Sequence, residues 1–318
     1  MQIFRHLQEI PAGFGPTVVS VGNFDGVHLA HREVVRHMAE RAHSIGGKPV
    51  VVTFEPHPLR VLRPDVAPRL LSPLPIKLQL LETTGVDAVL VLPFTRDLSL
   101  MSAHDFARDV LARALHAREV HEGYNFHFGH KAQGNVATLG ALGEELGFGV
   151  KIYPEQVLRG HHVSSSEIRS LIIAGRVAKA RPLLGRPFSI VSTPGRGRGY
   201  GHKYTVPTVN LARYDELVPA NGVYITWLRV GDECFEAVTN VGVRPTFGPD
   251  SFAIESHLLN FHPIELLADT ELELIFLKRL RSEVKFPSVE ALREQIARDV
   301  HKARRYFHLL RRLGAAKR

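Results

Sequence analysis

The chain has 318 residues, 44% hydrophobic and 23% charged, proportions that exclude a disordered or low-complexity protein and, with this length, predict two domains. Forty basic residues against thirty-two acidic ones leave a formal charge of +8, a surplus that favours anionic partners such as nucleotides and phosphorylated metabolites. Cys234 is the one cysteine, which excludes an intramolecular disulfide framework and a cysteine-based zinc site, and no apolar run approaches the ~18 residues of a membrane helix, so the expected setting is cytoplasmic with no membrane partner.

Val18–Val21 reads as a strand closing at Gly22, and Leu29–His43 as the helix that follows. Val50–Phe54 is a β-branched run stopped by Pro56 and Pro58, Ile76–Leu81 has a helical pattern, and Ala88–Leu92 is a third strand. Ser102 with Asp105 makes a capping-box-like start for a helix carrying Phe106, Val110, Leu111 and Leu115. Short continuous apolar strands alternating with helices predict a parallel sheet covered on both faces. Residues 1–183 are therefore expected to form a doubly wound, Rossmann-like α/β domain.

The period changes after Leu183-Leu184-Gly185-Arg186-Pro187. Phe188–Val191, Val223–Trp227, Phe235–Val241, Ile254–Phe261 and Leu272–Leu277 read as strands separated by Gly, Pro and Asn, so residues 184–318 are expected as a small antiparallel β-barrel. Leu292, Ile296, Val300, Ala303, Phe307 and Leu310 recur at spacings of three and four and predict one terminal helix with one apolar stripe. Lys302, Arg304, Arg305, Arg311, Arg312, Lys317 and Arg318 read as the solvated face of that helix; no aromatic ladder accompanies them, so no nucleic acid is expected as partner. The pattern assigns no oligomeric state.

Chemistry concentrates in a few segments. Gly22-Asn23-Phe24-Asp25-Gly26-Val27-His28-Leu29-Ala30-His31 sits where the first strand hands over to a helix. Open α/β sheets bind ligands outside the carboxyl ends of their strands, and phosphates favour helix N-termini. His28 and His31 share one face and can donate hydrogen bonds to phosphate oxygens; they also read as surface histidines in a chain that has eighteen. Ser164-Ser165-Ser166-Glu167-Ile168-Arg169 offers hydroxyls, a helix start and a guanidinium suited to a polyphosphate, or else an ordinary serine cap with a solvent arginine. Pro207-Thr208-Val209-Asn210 follows Gly197, Gly199 and Gly201; its oxygens suit a hard cation, and its residue types also suit a connecting turn.

Taken together, the segments resemble the bacterial bifunctional riboflavin kinase/FMN adenylyltransferase (FAD synthetase) family, over nearly the whole chain from about Val18. The histidine pair and the serine–arginine segment match its nucleotidyltransferase signatures in order, with Thr53-Phe54-Glu55-Pro56-His57-Pro58 between them, and Tyr124–Gly129 with Gly134-Asn135 is similar to its flavin-side loop. Thr208-Val209-Asn210 is similar to its kinase metal motif, and Asn221–Tyr224, Thr239–Gly248 and Ile254–Phe261 follow in family order.

The resemblance implies two reactions, riboflavin and ATP giving FMN, then FMN and ATP giving FAD and pyrophosphate, with Mg²⁺ accompanying ATP. It implies His28 and His31 at the α-phosphate and Gly22, Asn23, Phe24, Asp25, Ser164, Ser165, Ser166 and Arg169 on the nucleotide. It implies Phe54, His57, Pro58, Asn125, Phe128, Gly134 and Asn135 on the flavin side. In the kinase half it implies Gly197 and Gly201 on the nucleotide, Thr208 and Asn210 at Mg²⁺, and Glu255 as general base, a role for which a carboxylate is competent. Ala30 replaces a family glycine, Asn125 and His127 replace an acidic and a basic residue, and His202 and Thr205 replace arginine and glycine ahead of the metal motif. One alternative keeps a single activity with the other domain as scaffold; another is a basic flavin- or nucleic-acid-binding protein without turnover.

Overall fold

Val18, Val19, Val50, Val51, Val52, Val89 and Leu90 are all inaccessible to solvent. Successive residues of a strand point to opposite faces, so their joint burial means that both faces of their sheet are covered. The computed structural model describes residues 1–195, 208–243, 252–262 and 266–314. Contacts divide the chain into Met1–Ser165 and Ser166–Arg318, a division that falls ahead of the change of period at 183/184.

The first unit runs β1 (Gln2–Phe4), β2 (Thr17–Val21), α1 (Leu29–Ser44), β3 (Lys48–Glu55), α2 (Pro58–Leu62), α3 (Leu74–Glu82), β4 (Ala88–Pro93), α4 (Arg96–Leu100), α5 (Ala103–Asp105), β5 (Ala117–Gly123), α6 (Val136–Leu146), β6 (Gly149–Tyr153) and a ribbon of β7 (Val157–Leu158) with β8 (His161–His162). Strands β1 to β6 pair in parallel in the order β1-β4-β3-β2-β5-β6. One face packs Val19, Val21, Val50, Val52 and Leu90 on Phe106, Val110, Leu111 and Leu139. The other packs Val18, Val51 and Val89 on Val35, Met38, Ala42 and Leu81 of α1 and α3. The doubly wound expectation holds. Ser102 caps as expected, its hydroxyl accepting from Asp105 N–H at 3.0 Å, but the helix then widens into a π-wound stretch over Phe106–Ala114.

The second unit begins with α7 (Ser165–Ile173), whose first residue closes the first unit, and α8 (Val177–Leu184). It continues with β9 (Phe188–Ser192), β10 (Thr208–Asn210), β11 (Gly222–Val230), β12 (Glu233–Val243), β13 (Phe252–Leu258), β14 (Leu272–Arg281) and α9 (Val289–Arg312). The strands pair antiparallel in the order β10-β13-β12-β11-β14-β9. A bridge between Pro194 and Leu211 joins the two edges, which turns the curled sheet into a small barrel. Inside it, the buried hydroxyls of Thr226, Thr239 and Ser256 link across three strands at 2.6 and 2.8 Å, so none of these buried oxygens goes unmatched.

Outside it, Ala303 and Phe307 of α9 pack on Val223, Ile225, Val238 and Ile275. The expected stripe is only half used: Leu292 and Ile296 remain exposed. Burial begins at Asp299, whose carboxylate is held by Arg281 at 2.8 Å and Gln295 at 2.9 Å, so a polar clamp marks where the helix meets the sheet.

Candidate active sites

Strands β3, β2 and β5 are neighbours, and their carboxyl ends carry Phe54–Pro58, Gly22–His31 and Tyr124–Gly129. Chain order reverses between β2 and β5, with β3 and β4 on one side and β6 on the other, which is the topological switch point where such sheets bind ligands. Three of the motifs read from sequence therefore meet at one edge.

The β2–β5 ladder stops at Val19 opposite Val120. Beyond it, Val21 N–H donates to Glu122 Oε1 at 2.5 Å, so a side chain takes over where the strands part. Glu122 is buried, and burial pushes its carboxyl well above the ordinary range, against the Val21 N–H that favours ionisation.

His28 caps α1: its Nδ1 accepts from His31 N–H at 3.4 Å, which leaves Nε2 to carry the proton. The two imidazoles stack with centroids 3.6 Å apart. Burial, then His28 and Lys77, hold His31 well below its usual proton affinity, so it is neutral at physiological pH. Its Nδ1 is enclosed with no hydrogen-bond partner among the described residues.

Asp25 has a structural hold as well: its carboxylate accepts from Leu71 and Ser72 N–H at 2.9 and 3.1 Å, while Ser165 Oγ donates to its carbonyl at 2.9 Å. Gly22 lies one contact from the Phe24 ring, Phe24 is buried at a φ of 47°, and Asn23 is exposed with its carbonyl accepting from Thr53 Oγ1. Ser164 is half-buried ahead of α7, and Ser166 and Arg169 fall on the first turns of that helix, within the second unit.

On the flavin-side segments, Phe54 meets Phe94 edge-on, and His57 caps α2 by accepting from Leu59 N–H at 3.2 Å, with Pro58 opening the helix. Asn125 is exposed. Phe128 is 8% exposed, stacks on Phe126 and exchanges two 3.0 Å backbone bonds with Gly134. Asn135 caps α6, accepting from Thr138 N–H at 3.0 Å. Phe128 and Asn135 thus build the loop from within.

Two residues escaped the sequence reading, Lys77 and Glu122. Lys77 is buried on α3, donates to Thr53 Oγ1 at 3.3 Å and faces the carboxylates of Asp25 and Glu55; burial lowers its proton affinity while those carboxylates restore it. Lys77 is a lone charge within Leu74–Leu81, a pattern that a surface lysine also gives, and Glu122 follows Arg118, Glu119 and His121 and carries no sequence signal of its own.

In the second unit, Thr208-Val209-Asn210 is a strand rather than a turn, because it pairs along β13. Asn210 lies directly opposite Glu255, and Glu255 lies opposite Asn240 on its other side, so amide, carboxylate and amide form a row across three strands. Thr208 lies opposite His257, whose imidazole is held below its usual proton affinity by burial and then by Arg304. Thr208 is exposed, and Asn210 and Glu255 are half-buried. Gly197, Gly201, His202 and Thr205 lie outside the described residues.

Hydroxyl, amide and carboxylate oxygens at one edge are the hard donors that an Mg²⁺–phosphate group takes. Among the described residues no cluster of three or more His, Cys, Asp or Glu side chains could hold a metal ion.

Residues 11–167 match the FAD synthetase family model and residues 184–307 the riboflavin kinase family model. The chain is 35% identical to the bifunctional riboflavin kinase/FMN adenylyltransferase of Pseudomonas fluorescens over 305 residues, covering 96% of this chain and 97% of that one. Against the Haemophilus influenzae protein of the same description the identity is 33%, covering 97% and 100%. A Streptococcus pneumoniae crystal structure described as a macrolide-efflux protein superposes with a TM-score of 0.85 at 25% identity, covering 95% of this chain and 98% of that one. Among the described residues no helix is long and apolar enough to cross a membrane.

Proposed function

The chain belongs to the bifunctional riboflavin kinase/FMN adenylyltransferase family, and from that premise we propose how its residues divide the two reactions. Both activities take ATP as co-substrate. Residues 1–183 carry adenylyl transfer and residues 184–318 phosphorylation, in the cytoplasm, where nucleotide substrates are made.

In the kinase half, the Glu255 carboxylate accepts the proton of the terminal ribityl hydroxyl as that oxygen attacks the γ-phosphorus; the bond to ADP breaks and FMN forms. Thr208 and Asn210 are the residues to hold Mg²⁺, which supplies charge neutralisation on the phosphate oxygens when bound. The observation that carries the assignment is the direct cross-strand pairing of Asn210 with Glu255, since base and metal donors have to meet at one phosphate.

In the adenylyltransferase half, an FMN phosphate oxygen attacks the α-phosphorus and pyrophosphate leaves, so no protein nucleophile is required. His28 Nε2–H points a donor at the charge that builds on the α-phosphate, and neutral His31 stacks behind it. By sequence continuity, Ser164, Ser165, Ser166 and Arg169 hold the leaving pyrophosphate. The loops at the ends of β3 and β5 receive the flavin.

A second reading keeps only the kinase, and Ala30 favours it: its methyl group lies in the first turn of α1, where the family's glycine leaves room for a nucleotide against the backbone. The purified full chain incubated with riboflavin, ATP and Mg²⁺, with flavins resolved by chromatography, tests both readings. Sequential FMN and FAD support the first. FMN that accumulates without FAD establishes the second, and absence of FMN with FAD made from added FMN overturns the kinase assignment.

A further inference from the structure

Between the C-terminal half of α9 and the start of β12 and end of β13 lies a cavity of about 710 Å³, within the size range of small-molecule sites. His301, Arg304, Arg305 and His308 line it at helical spacing i, i+3, i+4 and i+7, so one ridge of α9 brings two guanidiniums and two imidazoles to one hollow. Leu259 and Leu309 are its apolar lining, beside Asn260 and Glu236.

Arg36, Arg41, Arg108, Arg281 and Arg311 each hold a carboxylate. Arg304 and Arg305 have no carboxylate or hydrogen-bond partner among the described residues, although they stand next to each other and within one turn of two histidines. Arg311 and Arg312 complement the dipole at the end of α9, but Arg304 and Arg305 lie too far from that end for the same explanation. Arg311 is also consumed by Glu236, whose acid is thereby withdrawn from the other cations. Asn260 Oδ1 accepts from Glu236 N–H at 2.7 Å, and its amide N–H₂ adds a donor to the lining. The Arg304 guanidinium acts electrostatically on His257 of β13.

We propose that this cavity is a binding site for a small phosphate-bearing molecule, a phosphorylated nucleotide or flavin, separate from both reaction centres. Two adjacent guanidiniums suit the paired oxygens of a phosphoryl or diphosphate group, and the leucine wall suits an attached ring. Leu259 lies one residue beyond β13 and four from Glu255, about 13 Å at ~3.3 Å per residue, so that wall of the cavity stands away from the row that contains Asn210. Among the described residues the lining holds no Phe, Tyr or Trp, which favours a compact ligand over a nucleic-acid strand.

Equilibrium dialysis of ADP against the full chain tests the site, with inorganic pyrophosphate as competitor, comparing the parent with R304A/R305A and the charge-conserving R304K/R305K. The expected result is that R304A/R305A binds one equivalent of ADP fewer, or binds it at least tenfold more weakly, while KM for ATP in both reactions is unchanged. R304K/R305K recovers part of the binding and serves as the folding control. Equal stoichiometry and affinity in all three proteins overturns the proposal. So does a matching rise in KM, which would put the arginines in the reaction machinery. Arginine-dependent retention of an oligouridylate with no change in ADP binding overturns it in favour of nucleic acid.

Discussion

Glu122 Oε1 accepts the Val21 backbone N–H at 2.5 Å at the point where β2 and β5 part. The switch point is thus held by a carboxyl where a ladder bond would otherwise stand. Burial raises the proton affinity of this group, so the folded state holds its proton above pH 4.5, where the unfolded chain has released it. Stability from this group is fully present below about pH 4.5 and is lost as pH rises through the folded value, at about 1.4 kcal/mol for each tenfold gain in proton affinity on folding. Glu122→Gln keeps an acceptor and cannot ionise. Urea unfolding of E122Q and parent should agree near pH 4.5, with the variant increasingly the more stable toward pH 8. A pH-independent difference would mean the carboxyl is ionised in the fold.

Lys77 reaches the Gly22–His31 loop through Thr53, whose hydroxyl in turn donates to the Asn23 carbonyl at 3.2 Å. Lys77→Met should lower kcat/KM for FAD formation by tenfold or more, because a buried cation facing Asp25 and Glu55 is replaced by an apolar chain that leaves both carboxylates without it. FMN formation by the same protein should be unchanged. A loss shared equally by both reactions would indicate that the variant has damaged the fold instead.

His31 carries the opposite pH signature from Glu122. Its proton affinity in the fold is depressed by burial and by His28 and Lys77, so unfolding takes up a proton below pH 6.5. The stability linked to it is present above pH 6.5 and is lost as pH falls. His31→Asn should remove this loss: between pH 7.5 and 5.5 the parent should lose more stability than the variant in matched urea titrations. Identical slopes would show that His31 titrates normally. In the parent, kcat for FAD formation should show no ionisation of His31 near pH 6.5.

The legible parts of the fold were those whose apolar pattern is local. The strands holding Val18–Val21 and Ala88–Leu92 announce themselves because both faces are buried, and Ser102 announces a helix through its cap. β1, with two exposed residues of three, carries no such pattern and exists only because Gln2–Phe4 pairs with Ala88–Leu90. Thr208–Asn210 looked like a turn for the same reason: pairing with β13 makes it a strand. Residue type and spacing left the histidine pair open to either reading, and Glu255 stood out only through the family resemblance. Lys77 and Glu122 were not legible, because what distinguishes a buried charge from a surface one is tertiary enclosure, which a single sequence does not display.

Gly134 illustrates a motif residue whose first duty is packing. A Cβ there would sit 2.8 Å from the Phe128 ring and 2.8 Å from Ala103 Cβ, and two backbone bonds to Phe128 prevent a sideways shift. Gly134→Ala should cost about 1–3 kcal/mol of stability. Gly140→Ala is the matched control, since nothing lies within 4 Å of its Cβ position inside α6, and it should stabilise by up to about 1 kcal/mol. Thermal melts that rank the two variants in the reverse order would refute this packing account.

The two reaction centres should separate under single substitutions. Glu255→Gln removes a proton acceptor while keeping the shape of the row between Asn210 and Asn240. FMN formation should fall by about 10²–10⁴-fold, the range for loss of a positioned general base. FAD formation from supplied FMN should continue at the parent rate. His28→Ala should do the reverse, costing about 10²–10³-fold in FAD formation, the range for loss of one donor at a developing charge. It also removes the α1 cap, so its melting temperature has to be read beside its rate: a helix-cap loss of about 1 kcal/mol lowers stability without abolishing turnover. If either variant lost both activities while remaining folded, the assignment of separate machinery to the two halves would fail. If E255Q alone kept full FMN formation, the proton would have to leave the ribityl hydroxyl by another route, and the pairing of Asn210 with Glu255 would then serve the sheet and the metal rather than the base.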